Sequence, residues 1–214
     1  MMPAKGIKVA IKSEYAGDIA VIEKIFKNYK TKNYFDPATG MPEVISVSEF
    51  DMADEFDIAL DMTEEGCIKL KTEVGETEIL YAEDDRKALL TQLIVMFSGN
   101  RIIDADISEI MKVVGSQCRA VCKYWGFLSK EKYYLEGEEY LEPGERLNEI
   151  LNEVVGENDP GDMDIFIQIT GDNPIYMTQI ELNCDFRNVV WQIIDTEEDY
   201  PEDGECIVTV FSRV

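Results

Sequence analysis

Residues 84–115 read DDRKALLTQLIVMFSGNRIIDADISEIMKVVG. Leu89, Leu90, Leu93, Ile94 and Phe97 recur at helical spacing, so the reading is a strong helix capped by Asp84 or Asp85 and closed by Gly99. Residues 100–106 read as a loop. Residues 108–114 then form a second, shorter helix, which Gly115 stops.

Upstream, residues 6–12 (GIKVAIK) alternate apolar and polar side chains and predict a strand. Ile19, Ile22, Ile25, Phe26 and Tyr29 predict an amphipathic helix over 18–29, followed by a turn-rich loop at 36–42. Four β-rich runs at 43–47, 56–62, 67–74 and 77–82 suggest an antiparallel meander. Downstream, 117–127 (QCRAVCKYWGF) predicts a strand and 130–140 a hairpin turning at Glu136–Gly137. Leu147, Ile150, Leu151 and Val154 place a helix over 143–155. Residues 157–162 read as an acidic loop. Strands follow at 163–170 (MDIFIQIT), with Met163, Ile165, Ile167 and Ile169 on one face, and at 189–194 and 206–211.

The 214 residues carry 20 Lys+Arg against 44 Asp+Glu, a formal charge of −24, and 45% are hydrophobic, enough to bury a core. There is no histidine, which excludes Ser-His-Asp and Cys-His catalysis, His-ligated zinc and a histidine pH switch. So negative a chain repels phosphate backbones and anionic lipid, so neither nucleic acid nor membrane is expected as a partner. No apolar run reaches the ~20 residues of a membrane helix. The N-terminal stretch lacks a signal peptide's apolar core, so a cytoplasmic protein is expected. Cys67, Cys118, Cys122, Cys184 and Cys206 are odd in number and form no CxxC, which fits reduced thiols better than disulfides or zinc.

From Asp84 onward, over roughly 130 residues, the chain resembles the C-terminal half of the tubulin/FtsZ family. There a long central helix leads into a loop of the form PG-x-IN-x-DF-x-D, and a small domain with a four-stranded sheet and helices follows. Here Asp104 stands at the loop asparagine, Asp106 at the first acidic position, Ile107 at the aromatic and Glu109 at the second acidic position. ERLNEILNEVV is similar to the family's next helix, DIFIQITGDNP to its strand ending in an NITGG-like turn, and DGECIVTVFSRV to its closing strand. The resemblance implies an α+β fold: a small α+β unit of unknown role over 1–83, and over 84–214 a connecting helix plus an FtsZ-like C-terminal domain.

The departures bear on function. Family GTPases hold phosphate on a GGGTGTG-type loop, whose glycines let backbone N–H groups approach the anion. None of the 14 glycines here is adjacent to another, and no GxG or GK[ST] occurs. No cofactor and no catalysis are therefore expected. A hydrolase built on paired carboxylates has only the abundance of Asp and Glu in its favour. In the family, the positions of Asp106 and Glu109 face the nucleotide of the next subunit. The plainer reading is that Asp106 or Ser108 caps the following helix and Glu109 favours its N-terminal dipole. Acidic groups at 157–164 and 199–205 miss calcium-loop spacing and read as solvated loops, so no metal is expected. Tyr124, Trp125 and Phe127, with Tyr133 and Tyr134 on the hairpin, are candidate interface aromatics, or else half-buried strand residues. The expectation is a non-catalytic interaction protein that caps or modulates a tubulin/FtsZ-type filament, or self-associates; the alternative is an acidic module for a basic protein partner outside cell division.

Overall fold

The computed structural model describes residues 8–13, 17, 20, 43–46, 56–82, 86–98, 100–103, 105–126, 143–171, 182–195 and 205–214. Their strands are β1 (Lys8–Lys12), β2 (Glu43–Ser46), β3 (Ile58–Asp61), β4 (Cys67–Thr72), β5 (Glu76–Leu80), β6 (Asn100–Ile103), β7 (Gln117–Gly126), β8 (Asp164–Gly171), β9 (Asn188–Asp195) and β10 (Glu205–Arg213). The helices are α1 (Arg86–Ser98), α2 (Ile107–Val114) and α3 (Pro143–Val155), with a 3-10 turn at Pro160–Asp162. One mixed sheet with helices packed against it makes this an α+β fold, with strand order β2-β1-β3-β4-β5-β7-β10-β8-β9-β6. Strands from before and after the expected boundary belong to one sheet, because β5 pairs in parallel with β7 through Glu78–Gln117, Ile79–Cys118 and Leu80–Arg119.

Three sequence readings are corrected here. The antiparallel meander holds for β3–β4–β5, but β2 lies on the far side of β1 and is parallel to it, as β3 is. Parallel neighbours need a crossover rather than a hairpin, and the stretch between β1 and β2 is long enough to make one. Second, residues 100–103 are not loop: they form β6, antiparallel to β9, with a register shift between Arg101 and Ile103. Third, residues 160–162 of the acidic loop form a 3-10 turn whose N-cap, Asp159, accepts a hydrogen bond from the Gly161 N–H at 2.9 Å. The predicted helix over 18–29, Ala20 excepted, and the hairpin at 130–140 lie outside the described residues, as do Asp84, Asp85 and Gly99.

The two faces of the sheet are covered differently. Under α1 and α2 lies a core that includes Ile11, Leu60, Ile68, Ile79, Leu89, Leu93, Val114, Phe166 and Phe211. Phe166 and Phe211 stack there with ring centres 5.2 Å apart. The opposite face buries Val121, Ile165, Ile167, Ile169, Val208 and Val210 against Leu147, Ile150, Leu151 and Val154 of α3. Strand β8 is covered on both sides, and all eight of its residues are buried.

Beyond α3 this second face carries a polar row. Register places Lys12, Asp61, Lys69, Glu78 and Gln117 in one row across five strands. Lys12 pairs with Asp61 at 3.5 Å and Lys69 with Glu78 at 3.6 Å, and the Gln117 amide donates to Glu78 at 3.1 Å. Alternating charge across neighbouring strands favours this register.

Candidate functional site

The loop candidates fall at the start of α2. Ile110, Met111, Val113 and Val114 sink one face of this helix into the core, which fixes its first turn at the surface. Asp106 is the N-cap, with extended backbone (φ −63°, ψ 138°). Its Oδ1 accepts the Ser108 N–H at 2.6 Å, and the Glu109 carboxylate accepts the Asp106 N–H at 3.4 Å. This is the reciprocal capping box that Asp and Glu three residues apart predict. The hydrogen bond from Ser108 holds the Asp106 carboxyl below its ordinary pKa, so it is charged at neutral pH. Both carboxylates are exposed and held by the cap. Asp104 lies outside the described residues.

Of the aromatic candidates, Tyr124 and Trp125 stand in β7 opposite Ile207 and Cys206 of β10. Phe127, Tyr133 and Tyr134 lie outside the described residues. The acidic group at 157–164 is dispersed into local structure. Asp164, almost fully buried, accepts from Arg187 at 2.8 and 2.5 Å and from Asn188 at 2.6 Å. The Arg187 hydrogen bond is the largest influence lowering its pKa, against burial, which acts the other way. Among the described residues no three Cys, Asp or Glu side chains gather to hold a metal ion. Burial pushes the Cys118 thiol up to about 12 and raises Cys67 as well, so neither presents a thiolate at neutral pH.

A second polar constellation was not anticipated from the sequence. Cys122, Thr209, Gln168 and Gln192 form one cross-strand row over β7, β10, β8 and β9, all buried, on the face under α1. Gln92 of α1, also fully buried, reaches this row. Its amide donates to the Ile207 carbonyl at 3.0 Å and the Gln168 carbonyl at 3.4 Å, and the Gln168 amide returns a bond to the Gln92 carbonyl at 2.9 Å. The Gln192 amide donates to the Met96 carbonyl at 3.2 Å. Met96 is in the last turn of α1, so this bond ties the end of the helix to β9. The Cys122 thiol and Thr209 hydroxyl share a hydrogen bond of 3.2 Å. The available signal was a glutamine inside each of three apolar runs: LLTQLIV, IFIQIT and VVWQII.

Arg86, the first residue of α1, fixes the other end of that helix. Its guanidinium hydrogen-bonds the Tyr81 hydroxyl, donates to the Met62 carbonyl at 3.3 Å and lies 5.9 Å from the centre of the Tyr81 ring. A rigid α1 therefore precedes a rigidly capped α2. No protein-family model matches the chain, and no curated protein is significantly similar to it.

Proposed function

We propose that the protein is a non-catalytic interaction protein that presents the start of α2, with Asp106 and Glu109, to a filament-forming GTPase of the tubulin/FtsZ type and caps or modulates its assembly. The observation that carries this reading is the pair of exposed carboxylates locked by a reciprocal cap at the start of α2. Negative charge that is already ordered meets a partner without a further loss of side-chain freedom. The order of elements after α1 adds support: the short strand β6, a capped helix, a strand, a helix, then three strands, with β7, β10, β8 and β9 side by side. In this reading the nucleotide belongs to the partner, in keeping with a sequence that has no adjacent glycines and no GxG.

The test is titration into the assembling FtsZ-type GTPase of the same organism, following light scattering and phosphate release. The variant is Asp106→Asn with Glu109→Gln, which removes both charges while Asn still serves as an N-cap. Wild type is expected to change assembly or turnover, and the variant to lose the effect at unchanged melting temperature. If neither acts at any salt concentration, the filament reading fails.

A second reading rests on charge. The chain has a formal charge of −24, and among the described residues Lys12, Lys69, Lys71, Lys123 and Arg187 are each paired with a carboxylate. An acidic module for a basic protein partner fits that charge. Binding that weakens steeply with salt and ignores the Asp106/Glu109 variant would favour it.

A further inference from the structure

The glutamine row under α1 uses its donors and leaves its acceptors. Gln92, Gln168 and Gln192 each place their amide N–H groups on main-chain carbonyls. Their three Oε1 atoms, and the Thr170 hydroxyl, are fully buried and meet no hydrogen-bond partner among the described residues. Register and hydrogen bonds gather these four groups. Gln168 and Gln192 are direct neighbours on β8 and β9, Thr170 is two residues further along the same face of β8, and Ile207 stands opposite Thr170. The Gln92 amide binds the Ile207 and Gln168 carbonyls, so its carboxamide lies over the same patch.

Three carboxamide oxygens and one hydroxyl on one buried patch leave more acceptors than donors and call for a small donor. We propose that the seam between α1 and the β10–β8–β9 part of the sheet is an internal hydration site, occupied by one or more long-lived water molecules that donate to Gln92, Gln168, Gln192 and Thr170. Water brings two donors and no charge, and buried waters typically make two to four such bonds. A metal cation would meet the same oxygens without a counter-charge beside them: the buried carboxylate on this face among the described residues, Asp164, lies two side chains before Gln168 along β8 and is already paired with Arg187. The waters complete the hydrogen bonding of a polar patch that already ties α1 to the sheet.

Water-proton and oxygen-17 magnetic relaxation dispersion on the full chain counts the waters held longer than the tumbling time. The clean variant is Thr170→Val, which removes one hydroxyl at nearly constant volume. A second, Gln192→Met, serves if the first does not fold. Wild type is expected to show at least one long-lived water, and each variant a lower amplitude with unchanged circular dichroism. Thr170→Val is also expected to melt below wild type, because it takes a partner from a bound water. A wild-type dispersion of zero, or one that neither variant lowers, overturns the proposal. A Thr170→Val protein that melts higher does so too, because deleting an unbonded buried hydroxyl relieves its desolvation penalty. Stabilisation by potassium over choline chloride at equal ionic strength would assign the site to a cation instead.

Discussion

Asp164 shows how one carboxylate ties two strands together. It begins β8, and its oxygens collect Arg187 and Asn188 at the beginning of β9, so the parallel pair starts in a fixed register. The folded-state pKa is lowered, with the Arg187 hydrogen bond as the main cause. The stabilisation this represents is complete above the unfolded carboxyl value of about 3.9 and disappears as pH falls through the lower folded value. In Arg187→Ala the main lowering influence is gone and burial, which raises the pKa, remains. The gap in melting temperature between wild type and Arg187→Ala is therefore expected to be widest above about pH 4 and to close on further acidification. A gap that stays constant from neutral pH to pH 2 would show that Arg187 acts through packing alone. Another residue-scale constraint sits at Gly115, where φ is +64° and an added Cβ would come within 2.8 Å of Arg213 Nε. The backbone there takes a conformation that L side chains rarely adopt, which is how α2 turns sharply into β7.

At the scale of elements, α1 is the part of the chain that the sequence described least completely. Leu89, Leu90, Leu93, Ile94 and Phe97 predict one apolar stripe, and the first four are buried. Ala88, Thr91, Gln92 and Met96 are buried as well, so the helix is enclosed rather than amphipathic. Removing its packing is therefore costly. Leu93→Ala is expected to lose about 2–5 kcal/mol in urea unfolding, the usual range for a buried leucine. Asn152→Ala, on the exposed side of α3, is expected to stay within about 0.5 kcal/mol of wild type. Comparable losses for the two would mean that α1 is not enclosed.

The same helix shows where sequence reading stops. Alternation in MDIFIQIT identified the α3-facing side of β8, and the Asp–Glu spacing identified the cap of α2, because both are local patterns. The row that joins Cys122, Thr209, Gln168 and Gln192 depends on the relative register of four strands, which no single segment encodes. β6 escaped for a related reason: four residues beside a helix end show no clear alternation, and their pairing is decided by β9. The parallel placement of β2 likewise depends on a crossover, not on the strand's own residues.

At the scale of the whole molecule, the position of β5 beside β7 couples the two halves of the chain. The three-residue pairing is short, but the core around it is shared: Val9, Ile58 and Leu70 belong to the same apolar cluster as Leu93, Phe166 and Phe211. Opening either half would expose apolar surface of the other, so both are expected to unfold together. Calorimetry should give one transition whose calorimetric and van't Hoff enthalpies agree. Charge provides an independent check on the same coupling. A formal −24 repels itself within the folded state, and raising salt from about 0.01 M to about 0.15 M shortens the screening length from about 30 Å to about 8 Å. The single transition should therefore move to higher temperature as one peak. Two peaks, or a peak that splits as salt is added, would show that residues before 84 and after it hold separate stabilities despite the continuous sheet.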